Sequence, residues 1–227
     1  ELPEKLGKAV RPWHIGPAKA MMIALALPIG YGIWHFLKTK KFNDFSALGF
    51  ISVLLPGGLT LDLWNADGTV KPNAAYLFGI KEGSIPLVLG AAILISHWSK
   101  APLLRVFLYS DHIFDIQRVE KAIAEKNNTE PYQKLLFSST LLFAGSFIIS
   151  TAMNFFLALF FLSPTKIDYA SESALEEYNA AVAKLTGWGF AVIGVPILII
   201  LSLLLFRLLA GLRKITGLEN DEILLPR

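Results

Sequence analysis

Residues 74–98 read AAYLFGIKEGSIPLVLGAAILISHW, and this stretch decides the fold class. It is apolar throughout except at Lys81 and Glu82, and Pro86 follows them. A helix rises about 1.5 Å per residue and the hydrocarbon core of a bilayer is roughly 30 Å thick, so a span needs about 20 residues. The apolar remainder from Ser84 to Trp98 is too short to cross alone. The reading therefore keeps both charges inside the span, in its outer half. Charges at that depth are expensive, and they nominate a functional site by default.

The rest of the chain agrees with a membrane setting. Of 227 residues, 54% are hydrophobic, above the roughly 45–50% of soluble domains, and mean hydropathy is +0.52. The apolar residues gather in blocks, as in a polytopic membrane protein. A net charge of +3 without a basic stripe argues against nucleic acid as a partner. With no cysteine, disulfides, thiolate metal sites and cysteine nucleophiles are excluded.

Five blocks have the length of spans: about 18–37, 45–63, 74–98, 132–162 and 188–210. The fourth has a clear start, where Thr129 or Glu130 can cap and Pro131 suits a first helical position. The expected fold class is all-α, a polytopic transmembrane helix bundle forming a single domain over 1–227. Lysine and arginine bias sets its orientation. Lys38, Lys40 and Lys41 follow the first block; Lys100, Arg105, Arg118, Lys121, Lys126 and Lys134 lie around the third connection; Arg207, Arg213 and Lys214 close the last block. The second connection has only Lys71 with Asp62 and Asp67, and the fourth has Lys166 and Lys184 against Asp168, Glu172, Glu176 and Glu177. The pattern predicts a cytoplasmic C-terminus. Five spans then leave residue 1 outside, with Lys5, Lys8 and Arg11 in its tail, so a sixth helix upstream of Glu1 is expected.

The connection 102–126 mixes charges with Ile113, Ile116, Val119 and Ile123, which fall on one helical face. Two readings fit an amphipathic helix here: one lying in the membrane interface, or one packed beneath the bundle.

Neighbouring helical residues point about 100° apart, so Lys81 and Glu82 are each expected to need a partner from another segment. Asp62, at the outer end of the second block, is the candidate for Lys81. Pro86 removes the N–H that would serve the carbonyl of Glu82, and interrupted helices of this kind line sites in transporters. The bland alternative has Lys81 reaching the headgroups and Glu82 capping a local break. Helix breaks are expected at Pro28, Pro56, Pro86 and Pro196; such kinks serve alternating access and also occur in ordinary bundles. Ser146, Ser150 and Asn154 recur every four residues in the fourth block. They read either as one wall of a polar path or as a packing seam of small and polar residues.

No catalytic, cofactor or metal site emerges. His35 and His97 lie near the cytoplasmic ends of their blocks without a ligand motif around them. The loop LDLWNADGTVK resembles a calcium loop only superficially: Leu63 and Ala74 stand where ligands are needed, and Asp67-Gly68 is a turn signal. No nucleophile elbow, phosphate loop or metalloprotease motif is present, so an enzyme is not expected.

Pro28-Ile29-Gly30-Tyr31-Gly32, Lys40-Lys41-Phe42-Asn43, Phe45-Ser46-Ala47-Leu48-Gly49, Gly57-Gly58-Leu59-Thr60-Leu61, Lys81-Glu82 and Ile85-Pro86 together resemble a bacterial inner-membrane family related to intracellular septation protein A. The likeness runs from about Ala18 to Leu218. It implies six helices, an inner-membrane location and a transporter-like label, with no established activity to carry over. Leu55-Pro56-Gly57-Gly58 and the loop 64–73 depart from the commoner pattern. Two functions follow as expectations. One is a transporter or channel with Lys81, Glu82, Asp62, Ser146, Ser150 and Asn154 near its path. The other is a non-catalytic envelope or septation protein that binds membrane-protein partners, or a second copy, in the lipid bilayer.

Overall fold

The structure is a computed structural model that describes residues 17–39, 44–65, 68–99 and 102–225. The N-terminal tail with Lys5, Lys8 and Arg11, and Lys40, Lys41, Asp67 and Lys100, lie outside the described residues, as do the side chains of Pro28 and His35.

The described residues form helices and connections. In chain order these are α1 (Pro17–Thr39), α2 (Asp44–Asp62), α3 (Ala74–Ser96), α4 (Leu103–Phe107), α5 (Ile116–Glu125), α6 (Thr129–Phe161), α7 (Ala174–Gly189), α8 (Val195–Thr216) and α9 (Asn220–Ile223). Five π-helical residues, Phe190–Gly194, join α7 to α8. Three helical runs are long and apolar enough to cross a membrane: α3, α6, and the continuous stretch Ala174–Thr216. They mark the chain as a membrane protein. The apolar parts of α1 and α2, Met22–Trp34 and Gly49–Asp62, are shorter.

The fourth connection corrects the sequence reading. Residues 163–187 were expected to be a loop, yet helix begins at Ala174 and continues through α8. The local signal is Ser173 followed by Glu176 and Glu177, acidic residues that suit the positive end of a helix. The Ser173 hydroxyl donates to Glu177 and the Ser173 carbonyl accepts from the Glu177 N–H.

The prolines behave differently from one another. Helices α1, α2 and α3 run on past positions 28, 56 and 86, so these prolines do not end their helices. Hydroxyl donors reach carbonyls near two of them: Thr60 donates to Pro56 at 2.7 Å, and Ser84 donates to Lys81 at 2.6 Å. Pro196 lies two residues after the last π-helical residue, Gly194, in the first turn of α8. Its ring collides with a regular turn and lacks the N–H, and a widened turn relieves both.

Contacts group the chain into two compact units, Glu1–Val88 with Thr151–Ala191, and Leu89–Ser150 with Val192–Arg227. In the first unit α1 packs on α2, with Gly57 against the Leu25 side chain. Close approach also joins α3 to the second half of α6. A Cβ on Gly79 would meet the Phe155 carbonyl at 3.3 Å, and one on Gly83 would meet the Thr151 carbonyl at 3.2 Å. Glycine lets the two helix backbones come this near without displacing either.

In the second unit Gly90 meets the Ala144 carbonyl at 3.1 Å in the same way. Its core is built on the α4–α5 connection. Val119 and Ile123 of α5 are buried with Tyr109, Phe114, Tyr132, Leu208, Leu212 and Ile223. Backbone pairing ties this connection to the C-terminal segment: the Asp115 N–H donates to Ile223 and the Leu225 N–H to Ile113. Of the two readings of 102–126, the packed helix is the one observed. Ile113 precedes α5 and is 47% exposed, so it is not part of the apolar face assigned to it. A periodicity count cannot see that Asp115 starts the helix by accepting from the Arg118 N–H.

The end of α8 carries a specific expectation. Gly217 has φ +71°, the left-handed conformation that closes helices, and the Lys126 ammonium occupies the space a side chain there would need. Asn128 donates to the Ile215 carbonyl at 2.8 Å, so the last turn is capped by the segment between α5 and α6. Gly217→Ala is expected to destabilise the protein by about 1–2 kcal/mol, read as a lower melting temperature in detergent.

Candidate functional site

Lys81 and Glu82 lie two turns into α3, roughly 10 Å from its start at Ala74. Their side chains pair with each other: Lys81 Nζ stands 2.8 Å from Glu82 Oε1. This overturns the expectation that each needs a partner elsewhere. Their Cβ atoms do diverge, but a lysine stem is long and flexible enough to bend across that angle. The attraction between the charges offsets part of the rotamer freedom lost. Lys81 Nζ also lies 4.5 Å above the centroid of the Phe78 ring, which adds a cation–π contact. The pair is partly covered, with side-chain exposures of 23% for Lys81 and 34% for Glu82.

Asp62 is not the partner of Lys81. It pairs with Lys71 at 2.5 Å and closes the turn between α2 and α3. That turn is narrow: Trp64 and Val70 form an antiparallel bridge, and the Asn65 N–H donates to Thr69. Gly68 takes φ +83°, which is the structural meaning of the Asp67-Gly68 signal.

Aromatic residues surround this end of α3. Tyr178 of α7 meets Trp64 edge-on at 6.1 Å and Phe78 edge-on at 6.5 Å. Tyr178 is buried. The site in this unit is therefore Lys81, Glu82, Phe78, Trp64 and Tyr178, with Thr151 donating to the Gly83 carbonyl at 3.2 Å. Sequence reasoning found the two charges and missed the rest. Gly79-x-x-x-Gly83 was the available signal for the α3–α6 contact, since small residues four apart mark close helix crossings. Nothing local marks Tyr178, because its position depends on α7 being helical.

Ser146 is buried in the second unit and donates to the Phe143 carbonyl of its own helix at 2.7 Å. Ser150, of that unit, and Asn154, of the first, are partly buried, and each makes a further interaction. His97, at the end of α3, faces Thr140 at 3.3 Å and packs against Phe137 and Trp98.

On the connection side, Arg105 binds Glu120 at 2.7 Å and the Tyr132 hydroxyl at 3.2 Å. Tyr132 in turn donates to Tyr109 at 3.3 Å. Burial, then the neighbouring Tyr132, push the Tyr109 hydroxyl well above the usual tyrosine range; it stays neutral and acts as a packing anchor.

A double-substitution cycle tests the observed pairing. Lys81→Met and Glu82→Gln are each expected to destabilise by roughly 1–2 kcal/mol, because each leaves the other charge unpaired in apolar surroundings. The double variant should lose less than the sum. Additive losses, measured by thermal unfolding, would show that the two do not interact.

No protein-family model, curated protein or solved structure matches this chain.

Proposed function

We propose that this protein is a multi-pass membrane protein of the transporter or channel type, working at the Lys81–Glu82 pair. The single observation that carries the reading is the pair itself. Two opposite charges sit two turns into α3, a helix long and apolar enough to cross a membrane, held together at 2.8 Å and still partly accessible. A paired site costs less in the membrane than two isolated charges, and an incoming ion or polar solute can compete for either member.

The proposed topology has five spans in this chain and a cytoplasmic C-terminus in a bacterial inner membrane. Several observations support it. Helices α1 and α2 have 23 and 19 residues, about the overall length of a span, with the shorter apolar parts Met22–Trp34 and Gly49–Asp62 inside them. Trp64 in the second connection touches Tyr178 in α7, which fits the second connection and the start of the run Ala174–Thr216 sharing one side. Phe114 pairs with Leu224, which fits the basic third connection and the C-terminus sharing the other. The inner-membrane placement draws on the charge bias and on the septation-related resemblance.

A second reading is favoured by where the other nominated residues go. Asp62 is taken by Lys71, and Ser146 is satisfied by its own helix. This suits an accessory or partner-binding membrane protein with no path.

Flux through liposomes containing the full chain separates the two. Transport of an inorganic cation, an amine or a small acid that is lost in both Lys81→Met and Glu82→Gln supports the transporter reading. Absence of flux for all three classes, with the protein folded, overturns it in favour of the accessory reading.

A further inference from the structure

The described lysines and arginines of the second unit fall into three groups. Arg105, Arg118, Lys121, Lys134 and Arg213 are held by Glu120, Glu222, Glu125, Glu130 and Glu219 respectively. Lys126 lies against Gly217 at the end of α8. Arg207 and Lys214 are exposed and, among the described residues, have no carboxylate within ion-pair distance.

These two are seven residues apart on α8, hence on one face. The same face carries Leu203 one turn before Arg207, and Ile199 and Phe206 lie beside it; these are 63%, 55% and 73% exposed. The opposite face is the buried one, with Leu204, Leu208 and Leu212. So the outward side of a helix long and apolar enough to span changes from predominantly apolar, with Ser202 bonded to its own helix at Leu198, to cationic within about one turn.

We propose that Arg207 and Lys214 form a binding site for the headgroup phosphate of an anionic phospholipid. The apolar stripe gives the site its orientation, because its acyl-facing side chains place Arg207 where hydrocarbon ends. A guanidinium there reaches the phosphate plane along its own apolar stem. Lys214 lies roughly 10 Å farther along the axis, about one Debye length at 0.1 M ionic strength, and its flexible stem reaches back toward the charged surface. Acidic groups near this end of the chain are Glu219, Asp221 and Glu222. Glu219 and Glu222 are engaged by Arg213 and Arg118, and Asp221 is exposed on α9. The proposal rests on α8 being a span, not on any transport activity.

The test is a titration of the purified full chain, freed of lipid, with phosphatidylglycerol or phosphatidylcholine, read by native mass spectrometry. Wild type is expected to prefer phosphatidylglycerol, with the preference falling as salt rises. Near-surface cations contribute about fivefold each, so Arg207→Gln with Lys214→Gln should weaken phosphatidylglycerol binding by roughly 25-fold. Lys121→Gln, whose parent lysine lies by Glu125, should not. The swap Arg207→Lys with Lys214→Arg should retain the preference, which separates lost charge from a folding defect. Equal binding of the two lipids by wild type, or an unchanged preference in the double glutamine variant, overturns the site. Competition by inorganic phosphate at the same concentration as the lipid would overturn the lipid as its source.

Discussion

Gly83→Leu is expected to lower stability by on the order of 3 kcal/mol, a fall in melting temperature of roughly 6–12 °C for a chain of this size. The reason is backbone, not side chain. A Cβ at position 83 lies 3.2 Å from the Thr151 carbonyl and 3.3 Å from its methyl, so α3 and α6 must move apart. That movement also stretches the hydrogen bond from Thr151 to the Gly83 carbonyl. Gly145→Leu is the control. It lies in α6 with nothing within 4 Å of its Cβ, and replacing glycine inside a helix is favourable by roughly 0.5–1 kcal/mol. Opposite signs at the two glycines, in thermal melts of the purified protein, would establish the α3–α6 crossing. Equal effects would mean that Gly83 is not at a helix contact.

Val119→Asp should have an effect at least as large, on the order of 4 kcal/mol, because it removes a buried branched side chain and leaves an unpaired carboxylate among apolar neighbours. Val119 is 0% exposed, in a cluster with Tyr132, Leu208 and Ile223. The expected result is release of α5 and α9 together, since the backbone bonds of Asp115 and Leu225 link these segments. Hydrogen exchange should rise over both 103–125 and 218–225. Ile113→Asp, at an exposed position outside α5, should change little. If α5 instead lay in the membrane interface, Val119→Asp would loosen only residues 103–125, and only in a lipid-dependent way.

The readable part of this chain was what depends on composition over a turn or more. The predicted segments 74–98 and 132–162 overlap α3 and α6 closely, and 188–210 lies inside the run Ala174–Thr216. The start of α6 was read at Pro131 with Thr129 or Glu130 as its cap; the helix begins two residues earlier, at Thr129, so both cap candidates lie in its first turn. The site was half legible. Charge inside an apolar run is visible in any listing of residues, so Lys81 and Glu82 stood out. Their partners did not, because a partner is chosen by distance. Asp62 was the nearest plausible acid by sequence logic, yet Lys71 follows it across a tight turn and reaches it first. The amphipathic segment 102–126 showed the same limit: its pattern announced an apolar face, and nothing local could say whether lipid or Leu208 and Leu212 would cover it.

By itself, then, the sequence determined that the chain belongs to a membrane and which long segments are helical there, because transfer of side chains from water to lipid is a sum over local residues. The tertiary structure alone decided that Lys81 binds Glu82, that Gly83 meets Thr151, that α7 continues into α8 through a widened turn before Pro196, and that α5 is buried against the C-terminal helices. Each of these is a choice among neighbours, set by close packing and charge separation over a few ångströms, and neighbours far apart in sequence exist only once the chain has folded.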